Sequence, residues 1–307
     1  MSPGGRAAVV VAAVLVVAVS AVIWILRPWE AEETTPPGTP QAGATVFAVG
    51  DIARCDDEGD EETAEIVEAV PDATVLGLGD MAYNNGSADD FAECYDPSWG
   101  RFNSRMRPVP GNHEYRAEGA GPYFDYFGET AGERGKGWYS FDLGEWHVVA
   151  LNSNCDDVGC DEGSEQEQWL RADLEANDAR CTLAFWHAPR FSSGAEHGGT
   201  RSVEDLWQAL LDHDVELLLS GHEHLYERTA PLDADGEVDE ANGVRQFVVG
   251  TGGGNFYPLG ERIAGSEAAI VDVNGVLRMT LRPDGYDWEF VAVQQATPAD
   301  PGSGQCR

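Results

Sequence analysis

Basic residues are scarce in this chain of 307 residues. Its 19 lysines and arginines stand against 54 aspartates and glutamates, the formal net charge is −35, and Lys136 is the only lysine. A surface this acidic repels the phosphate backbone of nucleic acids and the headgroups of anionic lipids. The composition therefore argues against a nucleic-acid partner. It also indicates that an anionic substrate needs cations held locally at the site.

A long apolar run occurs only near the amino terminus, where residues 7–26 contain Ser20 as their one polar residue. A run of this length spans about 30 Å as a helix, enough to cross the hydrocarbon core of a bilayer. We predict an N-terminal membrane anchor over residues 1–27 and a proline-rich linker over residues 28–43. A cleaved signal peptide is the alternative, because Ala18-Val19-Ser20 could serve as a cleavage site. Either reading predicts an extracytoplasmic protein, membrane-anchored or secreted.

The six cysteines contain no C-x-x-C spacing, which excludes a zinc finger. An even number of cysteines in an exported chain predicts disulfides, although six cysteines allow fifteen pairings. The candidate pairs are Cys155 with Cys160, which flank a short acidic loop, Cys55 with Cys94, and then Cys181 with Cys306, which would remain.

Polar residues recur directly after short apolar runs. TVFAVG, TVLGLG, TLAFW and VELLLSG each read as a buried strand, and each is followed by an aspartate or a histidine. Because the carboxyl ends of neighbouring parallel strands meet at one edge of a sheet, these side chains are expected to converge. The five segments concerned are VGDIA with Asp51, GDMAY with Asp80 and Tyr83, GNHE with Asn112 and His113, AFWHAP with His187, and GHEH with His222 and His224.

The donor atoms in these segments suit a pair of metal ions. Hard and borderline cations take carboxylate, imidazole and amide ligands, and a bridging carboxylate can hold two ions about 3.5–4 Å apart. Asp80 is the candidate bridge. His222 and His224 lie two residues apart, so both can face one cavity from an extended loop that Gly221 allows to turn sharply. The segments therefore predict one dinuclear site.

At these residues the chain resembles the calcineurin-like metallophosphoesterases and, among them, the purple acid phosphatases, from about Val46 to Leu281. Many members carry Asp-x-His in the first segment, whereas Ala53 stands at the histidine position here, and Tyr83 of Gly-Asp-x-x-Tyr would supply the missing ligand. The resemblance implies a compact, single-domain form with two metal ions, Fe³⁺ together with Fe²⁺, Zn²⁺ or Mn²⁺. It assigns Asp51, Tyr83 and His224 to the first metal and Asn112, His187 and His222 to the second, with Asp80 shared.

The family also places histidines near the phosphate that are not metal ligands. His113 matches one of them, and His197 in PRFSSGAEHGG resembles a second. The resemblance implies catalytic roles for both residues. Some relatives have two consecutive histidines at the second place, whereas Glu196 precedes His197 here, so the protonation of the leaving group and the pH optimum stay open. His147 and His213 fall outside the segments, and we interpret them as structural.

The remaining patterns indicate an α/β fold. DEETAEIVEAV, SEQEQWLRADLEAN and SVEDLWQALLDHD show helical apolar spacing, and WYSFDLGEWHVVALN reads as a hairpin. QFVVG, AAIVDV, VLRMTL and YDWEFVAV read as successive strands, the later ones joined at Asn274-Gly275 and Asp284-Gly285. Two mixed sheets packed face to face with helices outside accommodate these elements and match the four-layer αββα sandwich of the family. We assign residues 44–307 to one catalytic domain.

These features predict an exported phosphoric ester hydrolase, acid phosphatase-like, that acts on small phosphomonoesters through a hydroxide activated by two metals. A phosphodiesterase or nucleotidase on the same site is the nearest alternative, because only the rim of the site selects the substrate. A surface-anchored binding protein without catalysis is a further alternative, against which the complete ligand set weighs. Membrane contact is expected through the N-terminal helix alone.

Overall fold

The computed structural model describes Met1, residues 43–295, Thr297 and residues 299–307. The predicted anchor over residues 1–27 and the linker over residues 28–43 lie outside this part of the chain, apart from Met1 and Gly43. Among the described residues, no helix is both long enough and apolar enough to cross a membrane.

Strands and helices alternate through the first two thirds of the described chain, and strands dominate the last third. The strands are β1 Ala44–Val49, β2 Thr74–Gly77, β3 Met106–Pro108, β4 Tyr139–Leu143, β5 Trp146–Ala150, β6 Cys181–Phe185, β7 Leu217–Ser220, β8 Tyr226–Leu232, β9 Val244–Val249, β10 Ser266–Ile270, β11 Gly275–Arg282, β12 Gly285–Ala292 and β13 Ala299–Gln305. The helices are α1 Gly59–Glu68, α2 Ala88–Asp90, α3 Asp96–Ser98, α4 Gly121–Phe127, α5 Cys155–Val158, α6 Glu165–Ala176 and α7 Glu204–Asp212. A π-helical turn, Phe91–Tyr95, connects α2 to α3, and a 3-10 helix, Trp99–Arg105, follows α3.

The described strands form two mixed sheets. The order of the first sheet is β13-β12-β11-β1-β2-β3, and that of the second is β10-β8-β9-β7-β6-β5-β4. In the first sheet β1, β2 and β3 are parallel neighbours. In the second sheet β5, β6, β7 and β9 are parallel. Each sheet therefore presents a set of carboxyl strand ends at one edge.

The two faces of each sheet are buried against different layers. Val46 of β1 packs between the sheets in one cluster with Phe185 of β6, whereas its neighbour Phe47 packs on the outer side with Val67 of α1. On the second sheet, Leu218 faces outward and shares a cluster with α6 and α7. The alternation follows from the two-residue period of a strand. The layers are thus helices, sheet, sheet and helices, and the predicted αββα fold is confirmed.

Most predicted elements match observed ones, but one predicted connection is wrong. The three helical patterns correspond to α1, α6 and α7, the hairpin is β4–β5, and Asp284-Gly285 lies at the turn between β11 and β12. Asn274-Gly275 does not join a hairpin, because β10 belongs to the second sheet and β11 to the first. The backbone of Gly275 bonds instead to Thr251, with Gly275 N–H donating to the Thr251 carbonyl at 3.0 Å. Turn residues indicate a local reversal and do not determine which strands pair.

The predicted cysteine pairs are all present as disulfides. They are Cys55–Cys94, Cys155–Cys160 and Cys181–Cys306. Cys181 begins β6 of the second sheet and Cys306 follows β13 of the first, so this disulfide connects the two sheets.

Candidate metal centre

The predicted ligands lie just beyond the carboxyl ends of the parallel strands. Asp51 and Asp80 follow β1 and β2 in the first sheet, and Asn112 follows β3. His187 and His222 follow β6 and β7 in the second sheet. The loops after these strands therefore meet at one end of the sandwich, as the position of the segments in the sequence predicted.

One group of side chains meets at the Tyr83 hydroxyl. Tyr83 Oη lies 2.9 Å from Asp51 Oδ1 and 3.1 Å from His224 Nε2. His224 Nε2 is also 3.2 Å from Asp51 Oδ1. All three side chains are buried. These are the residues that the family resemblance assigns to the first metal.

A second group meets at the Nε2 atom of His187. This nitrogen lies 3.0 Å from Asn112 Oδ1 and 3.1 Å from His222 Nδ1. The other ring nitrogen of His187, Nδ1, is 2.8 Å from the Leu78 carbonyl, which fixes the orientation of the ring. These are the residues assigned to the second metal.

Asp80 contacts both groups with a single oxygen atom. Its Oδ2 lies 3.3 Å from Tyr83 Oη and 3.4 Å from His187 Nε2. Asp80, His187 and His222 also offer donor atoms that all lie within 4.8 Å of one another. The structure thus brings all seven predicted ligands together, as two groups that share Asp80.

Unusual backbone conformations direct the ligands inward. The φ angle is 60° at Asp51, 49° at Asp80 and 71° at His222, in the left-handed region that non-glycine residues rarely adopt. Such residues cost of order 1 kcal/mol or more each and cluster at functional sites. A Cβ on Gly221 would lie 2.6 Å from Asp51 Oδ2, so glycine is required there for the close approach of the two loops.

The carboxylates and imidazoles of the centre shift one another's pKa values. Burial alone would raise the pKa of Asp51 and of Asp80, but His224 beside Asp51 and His187 beside Asp80 outweigh it, so both pKa values are lowered. Burial opposes protonation of His187, yet Asp80 raises its pKa to about 10. Burial and the neighbouring His187 lower the pKa of His222 to about 3. The negatively charged carboxylates of Asp51 and Asp80 and the positively charged His187 therefore stabilise one another's charges.

The donor set fits metal ions. Burial, Asp51 and Asp80 raise the pKa of the Tyr83 phenol well above its ordinary value, so a phenolate here needs a strongly charged cation to stabilise it. Carboxylate and amide oxygens, imidazole nitrogens and a phenol converge on one place, which is the combination that hard and borderline cations prefer.

The two predicted outer histidines lie beside the ligand groups. His113 Nε2 is 3.7 Å from Asp80 Oδ2, and its backbone N–H donates to Asp80 Oδ1 at 2.8 Å. The His197 ring stacks on the ring of His222 with a centroid distance of 4.2 Å. His197 is exposed to solvent, so its imidazole borders the centre on an open side.

Glu114 holds the backbone around Asp80 and Gly111 in place, a role that the sequence did not predict. Its fully buried carboxylate accepts hydrogen bonds from the backbone N–H groups of Asp80 and Met81, each at 2.9 Å, and of Gly111 at 2.7 Å. Burial and the Asp80 charge raise its pKa to about 7. The feature of the sequence that could have indicated this role is the position of Glu114 in GNHE, directly after Asn112 and His113.

His224 is held by Asn255 and Tyr257, neither of which the motifs in the sequence single out. Its Nδ1 contacts the carbonyl oxygen of Asn255. Its ring stacks on Tyr257 with a centroid distance of 3.9 Å and an interplanar angle of 11°. Asn255 and Tyr257 follow the glycine-rich turn GTGGG at 250–254. In this turn, Gly254 N–H donates to the Asp51 carbonyl at 2.8 Å. This turn therefore packs directly against the ligand loops.

A small cleft opens beside the second group. It has a volume of about 290 Å³ and contains Asn112 in its lining, together with Tyr115, Arg116, Ser153, Asn154, Cys155, Asp156, Asp157 and Ser202. The short loop closed by Cys155–Cys160 forms one wall. A compact polar group fits this space.

Comparison with known proteins agrees with this geometry. The family model described as calcineurin-like phosphoesterase matches residues 44–226, more than half of the chain and all seven predicted ligands. Purple acid phosphatase 15 of Arabidopsis thaliana is 27% identical over 259 residues, which cover 72% of this chain and 47% of the relative. An uncharacterized protein of Mycobacterium tuberculosis is 30% identical over 223 residues, which cover 57% of this chain and 41% of the relative.

The same relationship is found among solved structures. A purple acid phosphatase from yellow lupin (Lupinus luteus) seeds superimposes with a TM-score of 0.74 at 20% identity, covering 87% of this chain and 54% of the lupin chain. The chain thus spans about half the length of these relatives. On the family match, the fold and the arrangement of the strand-end residues, the chain belongs to the calcineurin-like phosphoesterase family and is similar to its purple acid phosphatases.

Proposed function

We propose that the protein is an exported phosphatase that hydrolyses small phosphomonoesters with a dinuclear metal centre. The observation that carries the proposal is the contact of Asp80 Oδ2 with both Tyr83 Oη and His187 Nε2, because one carboxylate between two groups of donors is the arrangement that a metal pair requires. Membership in a phosphoesterase family supports the reaction class. The three disulfides support export, since disulfides persist in oxidising compartments.

The proposed ligands divide as the contacts do. Asp51, Tyr83 and His224 would hold one ion, Asn112, His187 and His222 the other, and Asp80 both. Two bound cations would neutralise the phosphoryl charge and lower the pKa of a water. A phenol among the ligands favours ferric iron at the first position, with Fe²⁺, Zn²⁺ or Mn²⁺ at the second.

The protein's own groups would orient the ester and handle its proton. His113 lies between Asp80 and the guanidinium of Arg116, whose Nη2 is 2.9 Å from His113 Nε2. From there it would contact a phosphoryl oxygen. His197, exposed and stacked on His222, would donate a proton to the departing oxygen of the ester, the part of the reaction that limits esters of weakly acidic alcohols.

The cleft beside Asn112 would receive the leaving group. Its size suits a small alcohol, and its wall carries Asp156 and Asp157. Together with the net charge of −35, these carboxylates would disfavour substrates with additional negative charges. We therefore propose small monoesters as substrates, ahead of nucleoside polyphosphates.

The function is tested by removing ligands and measuring turnover of p-nitrophenyl phosphate. Asp80→Asn and His222→Ala should each lower kcat by roughly 10³-fold or more, because metal sites supply several kcal/mol of transition-state stabilisation. Asp89→Asn, an exposed aspartate outside the centre, and His213→Ala, at the end of α7, are the matched controls and should retain activity. Retained turnover in either ligand variant would overturn the proposal.

A substrate panel separates the monoesterase from its nearest alternative. The purified protein should hydrolyse p-nitrophenyl phosphate at least about tenfold faster, in kcat/KM, than bis-p-nitrophenyl phosphate, a difference of about 1.4 kcal/mol in transition-state binding. The opposite order would identify a phosphodiesterase. Absence of turnover on every ester by metal-loaded protein would favour a binding protein.

A further inference from the structure

Glu223 separates the two histidines of GHEH and is buried without an obvious structural reason. Its side chain is fully inaccessible to solvent. Its Oε1 accepts hydrogen bonds from the backbone N–H of His197, at 2.6 Å, and of Gly198. Its Oε2 has no hydrogen-bond partner among the described residues. Burying a carboxylate with one oxygen unpaired is costly, so this position needs an explanation.

The two halves of the loop from Arg190 to Gly199 are held by different groups. Its first half is fixed without Glu223, because Ser193 N–H donates to the Glu227 carboxylate at 2.8 Å and Ala195 N–H donates to the Pro258 carbonyl at 3.0 Å. The second half, which carries His197, is bonded through Glu223. Within the described residues, the His197 ring itself makes no hydrogen bond. Its position therefore depends on its backbone, on the stack with His222 and on an edge contact with the Tyr257 ring at a centroid distance of 5.5 Å.

The sequence of the loop provides space for this carboxylate. A Cβ at Gly194 would overlap the Glu223 carboxylate group, although the backbone of Gly194 does not have a positive φ that would itself demand glycine. The glycine is thus explained by the presence of Glu223 beneath the loop. The Glu223 carboxylate therefore occupies the space that a side chain at position 194 would need.

We infer that Glu223 is a positioning residue that fixes the backbone of His197 and so holds the His197 imidazole over His222. Glu223 would not touch the substrate. The inference rests on the proposed function where it assigns His197 as the group that protonates the leaving oxygen. The placement of the loop by Glu223 does not depend on that assignment, and limited proteolysis measures it separately.

The kinetic test compares esters with good and poor leaving groups. A misplaced proton donor slows an alkyl ester, whose alcohol must be protonated as it leaves, and has little effect on p-nitrophenyl phosphate. Glu223→Val should therefore lower kcat for glycerol 2-phosphate by roughly 10²-fold and change kcat for p-nitrophenyl phosphate by less than about threefold. KM should change little for either ester. Glu223→Gln, which keeps an acceptor oxygen, should restore most of the loss.

A double-mutant comparison shows whether Glu223 acts through His197. Adding Glu223→Val to His197→Ala should lower kcat for glycerol 2-phosphate by less than about threefold beyond His197→Ala alone, since the group to be positioned is already absent. Gly194→Ala should reproduce the effect of Glu223→Val, because its Cβ displaces the carboxylate without removing it. This variant keeps the test valid if Glu223→Val fails to fold. Glu216→Val, which removes a buried carboxylate that accepts from Thr182 N–H at 2.7 Å elsewhere in the fold, is the matched control.

Limited proteolysis gives a readout that needs no catalysis. A glutamate-specific protease cleaves after Glu196, which is exposed, and the peptide nitrogen of that bond is the His197 N–H held by Glu223. Fragment masses should show cleavage at this bond at least about tenfold faster in Glu223→Val and Gly194→Ala than in the wild type and in Glu216→Val.

The outcomes are distinguishable. Equal losses on both esters, additive losses in the double variant, or unchanged cleavage after Glu196 would each overturn the positioning role. Wild-type protein that hydrolyses neither ester would contradict the proposed function, and the proteolysis would then decide the inference about Glu223 alone.

Discussion

Asp80 and Tyr83 distinguish this centre from a collection of strand-end polar residues. Asp80 contacts both groups of donors. The Tyr83 hydroxyl lies beside Asp51 and His224, so we propose it in place of the histidine that many relatives carry where this chain has Ala53. That these side chains meet was predictable from the sequence, because each motif combines a chemical donor with a strand end. Their division between two metals came from the family resemblance and stays a proposal. Glu114 and Glu223 were not, since a backbone-binding glutamate has no spacing that distinguishes it from a solvated one.

Replacing Tyr83 tests the proposed ligand that favours ferric iron. Tyr83→Phe removes the hydroxyl that lies near Asp51, Asp80 and His224 and keeps the ring. We expect iron-loaded wild-type protein to show a visible charge-transfer band, and we expect Tyr83→Phe to lose it. Tyr126→Phe, whose hydroxyl bonds to Asp96 instead, should keep the band. A band that survives Tyr83→Phe would mean that another group binds the iron.

His147 gives a pH-dependent stability that is independent of the centre. Burial lowers the pKa of His147, but its hydrogen bonds to Asp173 and Asp142 outweigh burial, and the net shift is upward. A raised folded-state pKa stabilises the fold fully below the unfolded value, near pH 6.5, and the contribution is lost as the pH rises through the folded value. His147→Asn should cost about 1–2 kcal/mol in free energy of unfolding at pH 6 and less at pH 9, measured by urea denaturation. A cost that grows with pH would contradict this assignment.

At the scale of elements, the strand-end loops form the centre and Glu114 binds two of them together. Local patterns predicted α1, α6, α7 and the β4–β5 hairpin because each element buries one face at its own period. The crossing between β10 and β11 was mispredicted, because sheet membership depends on contacts far apart in the sequence. The bonds from Glu114 to Asp80 and Met81 in the loop after β2 are also non-local, since they span 34 and 33 residues, and no period in the sequence encodes them.

Removing Glu114 should loosen both loops. Glu114→Ala leaves the N–H groups of Asp80, Met81 and Gly111 buried without acceptors, so we expect a loss of about 3–5 kcal/mol in the free energy of unfolding. Metal affinity should fall with it, because Asp80 loses its backbone anchor. Glu118→Ala, an exposed glutamate nearby, should change stability by less than about 0.5 kcal/mol. Equal stability of the two variants in denaturant titrations would show that Glu114 is not an anchor.

At the scale of the whole molecule, the acidic charge governs how substrates arrive. A net charge of −35 repels phosphate dianions, which the metals of the proposed centre would attract only at short range. Raising the ionic strength from about 10 to 150 mM shortens the Debye length from about 30 to 8 Å. We therefore expect kcat/KM for p-nitrophenyl phosphate, measured in fixed-time assays, to rise severalfold over this range of ionic strength.

Phosphocholine provides the matched control for this salt effect, since its cationic leaving group offsets part of the phosphoryl charge. Its kcat/KM should rise less than that of p-nitrophenyl phosphate. A fall in kcat/KM with salt for the dianion would show that the local field at the site is positive enough to dominate the repulsion by the whole protein.

The metal content of the purified protein tests the centre most directly. After exposure to iron and zinc and exhaustive dialysis, elemental analysis should find about two transition-metal ions per chain in the wild type and one or fewer in Asp80→Asn, because the shared carboxylate holds both. Wild-type protein that retains no tightly bound metal, or an Asp80→Asn variant that retains the full complement, would contradict a dinuclear site bridged by Asp80.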